Sequence, residues 1–209
     1  MKNTKQKILN AARKLFNTFG YSQVTIRMIA TELGMSSGNL NYHFRKREDI
    51  LEALYFEMVE VFDQRIQQLE RQNFSLKSMK LDIQTSMQRM IDYRFFWTDL
   101  YFLLKDHPKI RFHFEQAKKD RIKGSHFVFD YFIQHQLLLP PSFPEEHALL
   151  IERMIDYSNT WLYASGLYKT RKDPAVLVEE ASQHLLLMLF PYLSPEGRQQ
   201  FRLLEPGLF

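Results

Sequence analysis

Between Ser36 and Arg47 the chain reads SSGNLNYHFRKR, a run in which Ser36, Ser37, Asn39, Asn41, Tyr42 and His43 each carry a side chain able to donate and accept hydrogen bonds. Thr25 and Arg27 stand upstream, and Arg45, Lys46 and Arg47 follow. The chemistry open to such a set is recognition. Amides and hydroxyls match the edges of bases in a DNA major groove, Asn above all the N6/N7 edge of adenine, and cationic side chains match phosphate oxygens. Gly38, within the same run, offers a place where a helix backbone could come close to DNA. Catalytic constellations are missing from the sequence: there is no His-Glu-x-x-His pair and no G-x-S-x-G, Walker or Rossmann pattern. His113, His126 and His135 are scattered and read as structural or surface residues. With no cysteine, disulfides, thiolate zinc sites and cysteine catalysis drop out together. The chain is therefore not expected to be an enzyme, and no cofactor or metal is expected.

The charge distribution supports this choice of chemistry. Residues 1–50 hold nine Lys/Arg against three Asp/Glu, a net of +6, so the remainder must carry 4 − 6 = −2. An excess of positive charge confined to one segment suits a polyanionic partner, although a solvated basic face would have the same composition. No apolar run approaches the roughly 20 residues of a membrane helix. The amino end lacks the continuous apolar core of a secretory signal, and a cytoplasmic location is expected.

The elements that must position these residues are helical, and the fold class expected is all-α. The first helix is predicted to start after Asn3 or Thr4, to bury Ile8, Ala12, Leu15, Phe16 and Phe19 along one stripe, and to stop at Gly20. Thr25 caps a second helix that buries Ile26, Ile29, Ala30 and Leu33, and Gly34 ends it. Ser36 caps a short third helix, anchored by Leu40 and Phe44, so that Ser37, Gly38, Asn39, Asn41, Tyr42 and His43 face outward or lie at the edge. Two helices joined by a Gly-containing turn form a helix-turn-helix. An ordinary helical corner whose polar face meets water would look similar. The flanking cations, the helix amino ends at Thr25 and Ser36, which favour phosphate, and the position at the end of the chain weigh against it.

The residues also resemble a known family. The pattern AAxxLFxxxG over Ala11–Gly20, TxxxIAxxxGxSxGxLxxHF over Thr25–Phe44, and the basic-acidic run Lys46–Asp49 before Ile50 and Leu51 are similar to the DNA-binding domain of the TetR (tetracycline repressor) family of bacterial transcriptional regulators. The resemblance covers about residues 4–54. It implies a three-helix head over 1–47 and a larger helical effector-binding and dimerisation domain over 48–209. It further implies that Thr25 and Arg27 meet phosphate or the groove edge, and that Ser37, Gly38 and Asn39 face bases. Tyr42 and His43 would contact backbone or bases, and Arg47 would clamp a phosphate. The family commonly has an aromatic residue directly after the leucine. Here that place is Asn41 with Tyr42 next, so the main contact is open between the two.

Beyond the head, a long helix from Lys46–Glu48 is predicted to bury Ile50, Leu54, Met58, Val61, Phe62 and Ile66 or Leu69, with a break near Asn73–Ser78. Helices are expected over 76–105 and 108–138, the second ended by Pro140 and Pro141 and open to a break near Gly124, then over 144–166 and 174–191, with a final turn after Pro195. Of the 30 aromatic residues 22 lie at or after Phe74, more than buried stripes alone require. A pocket for a small hydrophobic or aromatic effector, bordered by a subset of Tyr93, Phe96, Trp97, Tyr101, Phe127, Tyr131, Trp161 and Tyr163, is the expectation. HLLLMLF at His184–Phe190 is apolar nearly all round and must be covered on several sides. The resemblance implies that helices 144–166 and 174–191 pair with their mates in a homodimer, whose two heads would read a palindromic operator. The reading is a ligand-released repressor. The alternative is a similar DNA-binding protein that acts through a protein partner.

Overall fold

The computed structural model describes residues 2–67, 74–167 and 173–208. Among these the regular structure is helical: α1 (Lys2–Phe19), α2 (Ile26–Glu32), α3 (Ser37–His43), α4 (Arg47–Gln67), α5 (Leu76–Asp92), α6 (Arg94–Thr98), α7 (Leu100–Asp106), α8 (Pro108–Gln134), α9 (Glu146–Leu167), α10 (Pro174–Leu187) and α11 (Pro195–Leu204). The extended pairing found among them is a single antiparallel bridge, Leu138 with Leu193. The chain divides into two compact units, residues 1–63 with 92–113, and residues 64–91 with 114–209.

The first unit is organised by α1. Ile8, Ala12, Leu15 and Phe16 are buried as their spacing predicts, and Leu9 and Ala11 join them. The helix starts at Lys2, earlier than expected, and its last residue departs from the predicted stripe: Phe19 is 53% exposed. The cause is the turn that follows. Gly20 takes φ 80°, a region costly for any residue with a Cβ, and the chain folds back so that Tyr21 sets its ring 5.2 Å from Phe16. Tyr21, not Phe19, closes the end of the core. Ile29, Ala30, Leu40, Phe44, Ile50, Leu51, Leu54 and Met58 complete it. Ile26 and Leu33 are only half-buried. Val61, Ile66 and Leu69 lie outside the described side chains, as does Asn73 outside the described residues.

The helix predicted over 76–105 is broken twice, at Tyr93 and at Asp99. Pro108 opens α8, where its missing N–H is harmless. In the second unit α8 continues through Gly124, because one glycine costs only about 1 kcal/mol against a long helix. It ends at Gln134, well before Pro140. The stop is made by Gln136 at φ 57°, with the Gln136 N–H donating to the Ile133 carbonyl at 3.0 Å and the Leu137 N–H to the Phe132 carbonyl at 2.8 Å. This is a Schellman closure with glutamine in the left-handed place usually held by glycine. Leu137 and Leu138 then turn into the core. Asp173 and Pro174 start α10 as predicted, the Asp173 carboxylate accepting from the Ala175 N–H at 2.8 Å. Ala181, Leu185, Leu186 and Leu189 are buried, so the apolar run is covered on more than one side.

Candidate nucleic-acid interface

The interface is built by short-range chemistry at each junction of the head. The Thr25 hydroxyl accepts from the Met28 N–H at 3.2 Å and starts α2. Gly34 at φ 64° ends it: its own N–H donates to the Thr31 carbonyl at 3.1 Å, and the Met35 N–H donates to the Ala30 carbonyl at 3.0 Å. The Ser36 hydroxyl accepts from the Asn39 N–H at 3.1 Å and starts α3. Such caps each stabilise a helix by about 1 kcal/mol, a large share for seven-residue elements. α3 is held down by Leu40, fully buried, with Phe44 closing the turn behind it. What remains on α3 is polar. Gly38, Asn39 and Asn41 are exposed, Tyr42 is 74% exposed, and Ser37 and His43 are half-buried. The Tyr42 and His43 rings meet edge to face at 5.3 Å. Arg27, Arg45 and Lys46 are exposed around them.

Two glycines show different causes. Gly34 needs its positive φ, whereas Gly38 has an ordinary helical conformation, and a Cβ there would meet only the Ser36 hydroxyl at 3.9 Å. Among the described residues nothing requires Gly38.

Arg47 is placed differently from the sequence expectation. Its Nη1 donates to the carbonyls of Tyr21 at 3.1 Å, Ser22 at 3.2 Å and Val24 at 3.0 Å, and the guanidinium lies 4.2 Å over the Tyr21 ring. The group that was expected to clamp phosphate thus holds the turn that leads into Thr25. Tyr21 is the partner that sequence reasoning missed. Its one local signal is an aromatic residue directly after a helix-ending glycine. Burial pushes the Tyr21 phenol up, with Arg47 opposing.

The aromatic residues expected at one pocket divide between the units. Tyr93, Phe96 and Trp97 are buried in the first, where the Tyr93 hydroxyl donates to Glu57 and Phe96 packs 5.1 Å from Tyr55, while Tyr101 is 72% exposed. In the second, Phe127 and Tyr131 pack edge-on against Phe74 at 6.0 and 5.3 Å. There too Trp161 donates to the Met90 sulfur at 3.3 Å, and Tyr163 is 53% exposed. Tyr101 on α7 and Tyr163 on α9 therefore point away from the packed core of their units.

A polar, cation-flanked third helix on a buried helix-turn-helix defines a regulator of the helix-turn-helix class. Comparison with known proteins narrows this. The profile of bacterial regulatory proteins of the tetR family matches residues 8–54, and that of the TetR-type bacterial transcriptional repressor matches residues 57–201. The chain belongs to the TetR family of DNA-binding transcriptional regulators. The HTH-type transcriptional repressor AcnR of Corynebacterium efficiens is 28% identical over 122 residues, which are 52% of this chain. The match spans 64% of that relative's length. A TetR-family regulator from Marinobacter aquaeolei superposes with TM-score 0.85 at 25% identity, over 97% of this chain and 98% of its own. A transcriptional regulator from Saccharomonospora viridis, solved with choline, shares the fold at TM-score 0.72 and 21% identity, over 93% of this chain and 99% of its own. The family is one of regulators, a non-enzyme class. Among the described residues no helix is long and apolar enough to cross a membrane.

Proposed function

We propose that the chain is a homodimeric repressor that reads a palindromic operator with α3 and is released by a small hydrophobic or aromatic effector. The observation that carries this reading is the outward polar face of α3, backed by the buried Leu40 and Phe44. In this reading residues 1–47 are the DNA-binding head. Ser37, Gly38, Asn39, Asn41, Tyr42 and His43 meet the groove, and Arg27, Arg45 and Lys46 meet phosphate. Thr25 and Ser36 present the amino ends of α2 and α3, and Arg47 positions the turn before α2. Residues 48–209 bind effector and pair the subunits through α9 and α10, whose outward Leu149, Tyr163, Leu167 and Val176 supply apolar surface for a mate. The effector enters the second unit beside Phe127 and Tyr131, which are only partly covered.

Release follows if effector binding favours a dimer in which the two α3 helices no longer match successive major grooves. The test is selection from a randomised duplex pool with the full chain at moderate ionic strength. Two inverted half-sites about 10 base pairs apart are expected. Absence of any preferred sequence, or selection of single half-sites only, would overturn the reading.

A further inference from the structure

The first turns of α1 carry two lysines that helical geometry sends to different sides. Lys5 stands three, four and seven residues before Ile8, Leu9 and Ala12, so it continues the buried stripe of α1 to the edge of the core. Lys7 lies about 200° around the same helix. It shares its face with Asn10 and Lys14, both exposed. A lysine at the rim of a core lays its methylene stem along apolar surface and keeps its ammonium outside. Lys5 does this against Phe44: the ring is buried, the lysine is exposed, and its Nζ stands 5.8 Å from the ring centroid.

Phe44 is the residue on which α3 ends. Its contact with Lys5 therefore sets a cation of α1 beside the last turn of the polar helix, where Arg45 and Lys46, both exposed, follow in the chain. Neighbouring cations repel one another, and an anion among them turns the repulsion into attraction. Other cations of the head are engaged within it: Lys14 pairs with Glu32 at 2.9 Å, Arg13 with Glu57 at 3.9 Å, and Arg47 holds the turn before α2. Among the described residues Lys5 meets a ring and no carboxylate, so meeting a phosphate would break no ion pair. We propose that Lys5 contacts an operator phosphate beyond the end of α3, so that the surface meeting DNA extends from the helix-turn-helix onto α1. This rests on the reading of α3 as the operator-binding helix.

The test uses the full chain and the duplex selected by wild type, with Lys5→Met and Lys7→Met as variants. Methionine keeps an unbranched stem over Phe44 and removes the charge. Lys5→Met is expected to shallow the slope of log K against log salt by about 1 for each bound subunit, and to weaken binding about tenfold per subunit at about 0.1 M salt. Base preference and melting temperature should stay as in wild type, and Lys5→Arg should restore the slope. Lys7→Met removes the same charge from the same helix and is expected to keep the wild-type slope, because salt screens charges beyond about 10 Å. Ethylation of single operator phosphates locates the contact: one position in each half-site should weaken wild type and cease to matter for Lys5→Met. A wild-type slope in Lys5→Met, equal shallowing in the two methionine variants, or an interference pattern that keeps every wild-type position would overturn the proposal. If wild type itself prefers no duplex, it is the operator-binding reading that fails.

Discussion

In the proposed reading Gly38 and Arg47 stand on opposite sides of a division between meeting DNA and holding the head together. Among the described residues a Cβ at Gly38 meets nothing closer than 3.9 Å, and the residue sits in a helix where alanine is better by about 0.5–1 kcal/mol. Gly38→Ala should therefore raise the melting temperature slightly and weaken operator binding, because the added methyl meets the groove. Melting and binding curves on the same preparation check the opposite signs. Arg47 predicts the converse. Its three bonds to carbonyls are charge-assisted, so Arg47→Ala should destabilise the chain by about 2 kcal/mol and leave the slope of log K against log salt unchanged. Lys46→Ala should instead reduce that slope by about 1 and leave the melting temperature alone. At this scale the sequence displayed the outward polar positions of α3 well, since caps and exposed faces follow from neighbours three or four residues apart. The role of Arg47 was hidden, because its acceptors are backbone carbonyls 23 to 26 residues away, which composition does not reveal.

Helix ends that follow local chemistry were readable, and those fixed by distant partners were not. Thr25, Ser36 and Asp173 cap as their types require. α8 ends short of Pro140 because glutamine, not glycine, takes the left-handed position, and the α5–α6 break has no local sign because its capping amide, that of Asn17, comes from α1. Strain at Gln136 yields a prediction: Gln136→Gly should stabilise the chain by about 1 kcal/mol in denaturant titration. The start of α11 is locked to the same segment. The Ser194 N–H donates to the Leu137 carbonyl at 3.1 Å, and a Cβ at Gly197 would fall 2.1 Å from that same oxygen. Gly197→Ala must push α11 away from backbone and should cost about 3 kcal/mol or more in the same titration.

For the molecule as a whole, charge and burial set the dependence on conditions. Burial pushes the His147 imidazole below its ordinary value of 6.5, against the opposing pull of Glu146 and Asp130, while His126 adds to the lowering. A histidine kept neutral in the fold contributes its full stability above 6.5 and loses it as pH falls through that value toward the depressed one. The melting temperature should thus drop between pH 7 and pH 5. His147→Phe, which keeps the edge contacts to Phe129 and Tyr192, should lessen the drop. The all-helical architecture and the position of the head were legible from periodicity and charge. The distribution of aromatic residues between two units was not, because helical spacing says which residues are buried but not against which neighbours.

If the exposed face of α3 reads bases, Asn39 is the side chain best suited to do so. The most direct measurement is a comparison of position-by-position base preference for wild type and Asn39→Ala on the selected operator. Loss of preference at one symmetry-related pair of positions is expected, with the rest of the profile and the salt dependence intact. An unchanged preference profile in the variant would contradict it.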